Sequence, residues 1–226
     1  DEILRQELLT QYFHDILTKN IVERYKLKDL HKLKNLALFY ASNFTRKYSF
    51  HKIKDVAEFA LSLDSIQRFS RYLESSFLIE TLARFSYSIK NQMQTDRKFY
   101  FIDNGLHNAV AFKFSMDQGK LLENAVFRHL KRSGADIYYY AEKKEVDFVC
   151  KTGLEVTSLI NVCYSLADKE TYVREVSALI EGMKYFNKKT SVIITGKGNK
   201  EEIARDGFRI DVVPFYQWAL SPAKTK

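Results

Sequence analysis

At 226 residues the chain is long enough for one large or two small domains, and 46% hydrophobic with 14% aromatic residues is enough to fill real cores. Two prolines and eight glycines argue against a long disordered linker, no run of about 18 apolar residues offers a membrane-spanning helix, and two cysteines are too few for a disulfide scaffold. The formal charge of +8 suggests a polyanionic partner, though many ordinary proteins are basic.

The start, "DEILRQELL", is charged and amphipathic and does not read as a signal peptide. With two free thiols this predicts a cytoplasmic protein. Apolar residues at Leu8, Leu9, Tyr12, Phe13, Ile16, Leu17 and Ile21 recur every three or four positions and predict an amphipathic helix. A second helix follows Asp29, a good N-cap, with Leu30, Leu33, Leu36, Ala37 and Tyr40 inward. Lys19, Arg24, Lys26, Lys28, Lys32, Lys34, Arg46, Lys47, Lys52 and Lys54 meet only Glu23 and Asp29 across residues 19–54. A solvated helical face explains this run, and so does contact with phosphates.

Ser49 caps the next predicted helix, with Ile53, Val56, Ala57 and Ala60 inward. "SLD" reads as a turn before "SIQRFSRYLESSFL", whose Ile66, Phe69, Leu73 and Phe77 point inward. "LIETLARFSYS" and "RKFYFID" read as strands around the polar loop "IKNQMQTD". Helix, helix, turn, helix and hairpin is the order of a winged helix-turn-helix. That reading puts Gln67, Arg68 and Arg71 on a recognition helix, Lys52 in the basic stretch before it, and Lys90, Gln92, Gln94 and Arg97 on the wing. Units of this kind also serve as protein-interaction modules.

A connector near 104–118 predicts a boundary, with domains 1–110 and 111–226. Beyond it come a helix ending at Gly134, the strands "IYYYA", "EVDFVCK" and "SLINVCYSL", and a helix capped by Asp168 with Val173, Val176, Leu179, Ile180 and Met183 as its stripe. "TSVIITG" reads as a buried strand, and "FRIDVVPFYQWAL" as a last strand and a short helix. Strand, long helix, strand implies a parallel pair in a mixed sheet. The predicted class is α+β or α/β, helical first and sheet-based second.

Three stretches carry the candidate chemistry: "LLENAVF", "EVDF" and "INVCYS". Their order, α-β-β-β-α-β, resembles the PD-(D/E)XK nuclease fold. In that fold carboxylates hold Mg²⁺, a hard cation that takes oxygen ligands, and a lysine on the third strand positions the attacking water. The resemblance implies Glu123 for the helix acid and Asp147 for the metal-binding acid, with Glu145 nearby. Where the fold carries Glu-x-Lys, this chain has Asn161 and Cys163, on one face of a strand. Asn161 is a poor metal ligand and Cys163 a soft one. A frame at Glu155–Thr157 fits less well, and zinc at Cys163 lacks a second thiol, since Cys150 has the opposite parity to Asp147 and nothing supports His129. The implied site is a degenerate nuclease site, with Glu123 and Asp147 as weak metal candidates, Glu145 as a helper, and Mg²⁺ or Mn²⁺ ahead of zinc as the metal.

The whole chain resembles the C-terminal half of archaeal and bacterial AAA+-type ATPases, in which a P-loop domain precedes a winged helix and a nuclease-like domain. "LLTQYFHDILTKNIVERYKLKD", "SIQRFSRYLESSFLIETLARFSYSIKNQ", "RKFYFIDNGL", "GKLLENAVF" and "INVCYSLADKETYVREVSAL" carry this resemblance. It implies an ATP-driven parent with an N-terminal ATPase domain, while no GxxxxGK[ST] occurs in these residues and ATP belongs only to the parent. The leading reading is a DNA-binding, targeting module. The alternatives are a metal-dependent nuclease and a protein-interaction scaffold, the aromatic surplus suiting an oligomer interface.

Overall fold

A computed structural model describes residues 1–56, 61–111 and 117–220 of the chain. Of the expected inward positions, the side chains of Val56, Ala57 and Ala60 lie outside what is described, as does that of Gln94. The fold is mixed α and β: a helical N-terminal region, then a six-stranded mixed sheet. Two compact units form, Asp1–Leu82 with Gln94–Met116, and Ala83–Met93 with Asp117–Lys226. The chain passes between these units three times, at 82/83, 93/94 and 116/117.

In the first unit, α1 (Glu2–Asp15) runs on as a π-helical stretch over Ile16–Glu23. Phe13, Leu17 and Ile21 are buried, but Leu8 and Tyr12 remain 46% and 57% exposed, so the expected stripe is narrower than its periodicity. α2 (Leu30–Ser42) begins where Asp29 accepts the Lys32 N–H, and buries Leu33, Leu36, Ala37 and Tyr40. α3 (Phe50–Val56) follows Ser49, whose hydroxyl accepts the Lys52 N–H. α4 (Leu63–Ser75) starts inside the expected "SLD" turn, because Ser62 caps it through the Ser65 N–H. It buries Ile66, Phe69 and Leu73. Phe77 does not point inward: it lies past the helix end with φ 57° and is 70% exposed. Strands β1 (Lys47–Tyr48), β2 (Ile79–Leu82) and β3 (Arg97–Phe101) form an antiparallel sheet in the order β1-β3-β2. α6 (Asn104–Val110) is capped by Asp103.

The polar loop expected between β2 and β3 instead contains α5 (Ile89–Gln94). The residues leading into it pack in the second unit: Phe85 is 6% exposed in that unit's core, and Phe85 N–H donates to the Tyr139 carbonyl at 2.6 Å.

The second unit opens with α7 (Gln118–Arg132) and the strands β4 (Asp136–Ala141), β5 (Glu145–Thr152) and β6 (Glu155–Cys163). Then come α8 (Lys169–Tyr185), β7 (Thr190–Thr195), β8 (Glu201–Arg205), β9 (Phe208–Pro214) and α9 (Phe215–Leu220). The sheet order is β4-β5-β6-β7-β9-β8; β6, β7 and β9 run parallel and the other pairs antiparallel. Leu159 to Cys163 are all buried, as a strand covered on both faces requires. α8 lays Val176, Leu179, Ile180 and Met183 into a core with Val146, Val149, Leu159 and Ile193. Gly182 lets α8 approach closely, for a Cβ there would lie 2.9 Å from a Val146 methyl. Val173, expected in the stripe, is 48% exposed.

Candidate functional site

β5 and β6 pair from Thr152–Glu155 up to Phe148–Ile160, and there the ladder ends. On its other side β5 carries a bulge: Tyr138 opposes Val149 but Tyr140 opposes Val146, leaving one extra residue on β5. The bulge sends Val146 and Val149 into the same core and sets Asp147 at the fork between β5 and β6. Past the ladder the two strands are joined by side chains. Asp147 N–H donates to Asn161 Oδ1 at 3.2 Å, and Val162 N–H donates to Asp147 Oδ2 at 2.9 Å. Each side chain thus satisfies a backbone group that the missing rungs would have taken.

The network continues onto α8. Asn161 Nδ2 donates to Glu175 Oε2 at 2.7 Å, and Arg174 Nε and an Nη donate to Glu175 Oε1 at 3.0 and 2.8 Å. Asn161 and Glu175 are 1% and 7% exposed. Asp147, Arg174 and Glu175, with Lys144, Glu145 and Ser177, line a cleft of about 470 Å³. Cys163 is 5% exposed in the core beneath α8, and burial, helped by the charges of Glu175 and Asp147, pushes its thiol up to about 12. It stays a neutral thiol at pH 7. Glu123 on α7 is half-buried, and its neighbour Asn124 is fully buried. Of the four expected catalytic residues, the fold joins Asp147 and Asn161 directly and puts Cys163 in the adjoining core, while Glu123 lies on α7.

Arg174 and Glu175 escape a reading by strands alone. One signal was present: Glu175 falls in register with Tyr172, Val176 and Leu179, an acid within an apolar stripe. The donor set does not fit a divalent metal. Both Glu175 oxygens and Asp147 Oδ2 accept hydrogen bonds, Asn161 Oδ1 is occupied, and no group of three or more His, Cys, Asp or Glu among the described residues could hold a metal ion.

Burial raises the Glu175 carboxyl above its ordinary 4.5, Asp147 adds to this, and Arg174 and Asn161 oppose it. The native state therefore holds this proton more tightly than the unfolded chain does. Stability falls as pH rises from the ordinary value through the raised one. Glu175→Gln is expected to flatten that stretch of the stability curve in urea titrations across pH; an unchanged slope would mean that Glu175 does not titrate there.

Among the expected nucleic-acid contacts, Arg68 and Arg71 are exposed on α4 and Gln67 is half-buried beside them. Arg68 pairs with Asp64 at 3.4 Å and Lys52 with Asp96 at 2.6 Å, so both would exchange an internal partner for a phosphate. Arg97 sits in β3 opposite Tyr48. Lys90 and Gln92 lie on α5, within the connection between the antiparallel strands β2 and β3 and in the portion assigned to the second unit. No helix among the described residues is long and apolar enough to cross a membrane.

A family model described as "Domain of unknown function (DUF8612)" matches residues 1–117, and one described as "Domain of unknown function (DUF4143)" matches residues 118–218. An uncharacterized protein of Methanocaldococcus jannaschii is 31% identical over 98% of this chain and 52% of its own length. An uncharacterized protein of Haemophilus influenzae is 27% identical over 97% of the chain and 54% of its own length. The chain thus spans about half the length of these curated relatives. Among solved structures, a half-complex of Thermococcus gammatolerans McrB AAA+ hexamers with bound McrC aligns at 13% identity and a TM-score of 0.36, over 85% of this chain and 49% of that one.

Proposed function

The chain belongs to the family described as Domain of unknown function (DUF8612), and for this member we propose a duplex-DNA-binding, targeting role within a longer ATP-driven protein. The observation that carries this reading is the division of α4. Ile66, Phe69, Ser70 and Leu73 are buried, while Arg68 and Arg71 stand exposed on a helix that follows α2 and α3 and precedes β2. Helices in that order with a three-stranded antiparallel sheet suit a winged helix-turn-helix whose α4 enters the major groove. The charge of +8 supports phosphate contact. In the second unit, α7-β4-β5-β6-α8-β7 follows the order of a nuclease-like core, in the role of a catalytically silent second surface. The ATP-driven parent rests on the sequence resemblance to AAA+-type ATPases; relatives about twice as long as the chain leave room for that domain.

Fluorescence anisotropy with a labelled duplex tests this. Affinity is expected to fall steeply with salt, and Arg68→Ala with Arg71→Ala to reduce the log–log slope by about 2, at roughly 0.9 per phosphate contact. An unchanged slope would remove α4 from the interface. Duplex recovered after Mn²⁺ incubation is expected to be uncut, and no binding at all would favour a protein-interaction module.

A further inference from the structure

The cleft at the β5–β6 fork resembles a metal site in its acids but not in its free oxygens. A buried carboxylate needs a compensating charge or must take up a proton. Glu175 has three hydrogen bonds, and the only ionised donor among them is the Arg174 guanidinium, which gives two N–H groups to Oε1. Oε2 is taken by Asn161, the residue standing where the resembled fold carries an acid. The polarity of Asn161 suits this arrangement. A carboxylate at 161 could not donate to Glu175; the amide accepts from Asp147 N–H with one end and donates to Glu175 with the other. Arg174 and Asp147 both line the cleft, together with Lys143 and Lys144.

We propose that Arg174, the cation bonded to the buried acid of a cleft that Lys143 and Lys144 also line, supplies to Glu175 the positive charge that a divalent metal would supply, so that this acid is charge-compensated without metal. The side chain is anchored at Glu175, is 67% exposed, and lines the cleft. An arginine suits this better than a lysine, since it cannot lose its proton and presents several N–H groups in a fixed plane. The inference does not depend on DNA binding, and its test contains no DNA.

The test is a Mn²⁺ titration of the full 226-residue chain at pH 8, with free Mn²⁺ read by electron paramagnetic resonance. The wild-type chain is expected to leave Mn²⁺ free. Arg174→Gln removes the charge and is expected to tighten Mn²⁺ binding by about tenfold or more, the scale on which one adjacent like charge acts in a partly buried site. Asp147→Asn added to it should abolish the gain, and Arg174→Lys, which keeps the charge, should show none. The thermal midpoint of Arg174→Gln should rise with Mn²⁺ while that of the wild type stays fixed. A folded Arg174→Gln with no gain overturns the proposal. Wild-type Mn²⁺ binding that Asp147→Asn removes overturns it too, and this arm decides the matter if Arg174→Gln does not fold.

Discussion

Asn161→Ala is expected to cost about 3–5 kcal/mol of folding stability, the range for breaking a buried hydrogen-bonded charge network. One truncation strips two partners, the buried Glu175 and the half-buried Asp147. Asp147 N–H loses its acceptor and Glu175 Oε2 loses its donor. Each orphaned neutral group costs about 1–3 kcal/mol, and a charged one more. The remaining methyl cannot close the fork, because no backbone rung lies beyond Phe148–Ile160. Urea unfolding of the chain would read the loss directly. A loss below about 1 kcal/mol, the scale of an ordinary hydrogen bond, would mean that water takes over both partners. Asn161→Asp separates the two roles. It keeps an acceptor for Asp147 N–H but sets an acid against Glu175, so its deficit should shrink as pH is lowered and one of the acids takes up a proton.

Phe85→Ala is expected to cost about 3–5 kcal/mol, the usual scale for emptying a phenylalanine site in a core. Phe85 is packed edge-on against Phe186 at 4.9 Å and Tyr138 at 5.9 Å, with Lys151 Nζ 5.9 Å from its ring centroid. The effect should appear in the second unit although residue 85 precedes the first unit's β3 and α6 in sequence. Trp218, the chain's only tryptophan, lies on α9 of that unit and reports its unfolding. An unchanged Trp218 transition would show that the 83–93 segment is not needed there. By the same reasoning, a fragment cut at 110/111 should be less stable than one that retains residues 83–93.

Helix starts were legible because their signals are local. Asp29 and Asp168 are short acceptors just ahead of a periodic apolar run, and both accept an N–H three residues on. β7 was legible as a continuous apolar run. β8 was not: "EEIAR" is an exposed strand whose side chains carry no core pattern, and only its pairing with β9 makes it a strand. α5 and the excursion of Phe85 escaped because polar residues between two strands fit a hairpin loop equally well. For the candidate site, strand parity puts Asn161 and Cys163 on one face of β6, and both side chains are buried. Whether Asn161 meets a metal or an acid depends on Glu175, 14 residues away, and the β5 bulge that sets Asp147 at the fork has no sequence signal at all.

Both margins of the six-stranded sheet are guarded against recruitment of a further strand. At β4, Phe85 N–H and the Ala83 carbonyl occupy the Tyr139 carbonyl and N–H in the middle of the strand. At β8, Glu201, Glu202 and Arg205 present charge along the open margin, which an incoming chain would have to desolvate. Copies of this chain are therefore poor templates for cross-β growth through this sheet.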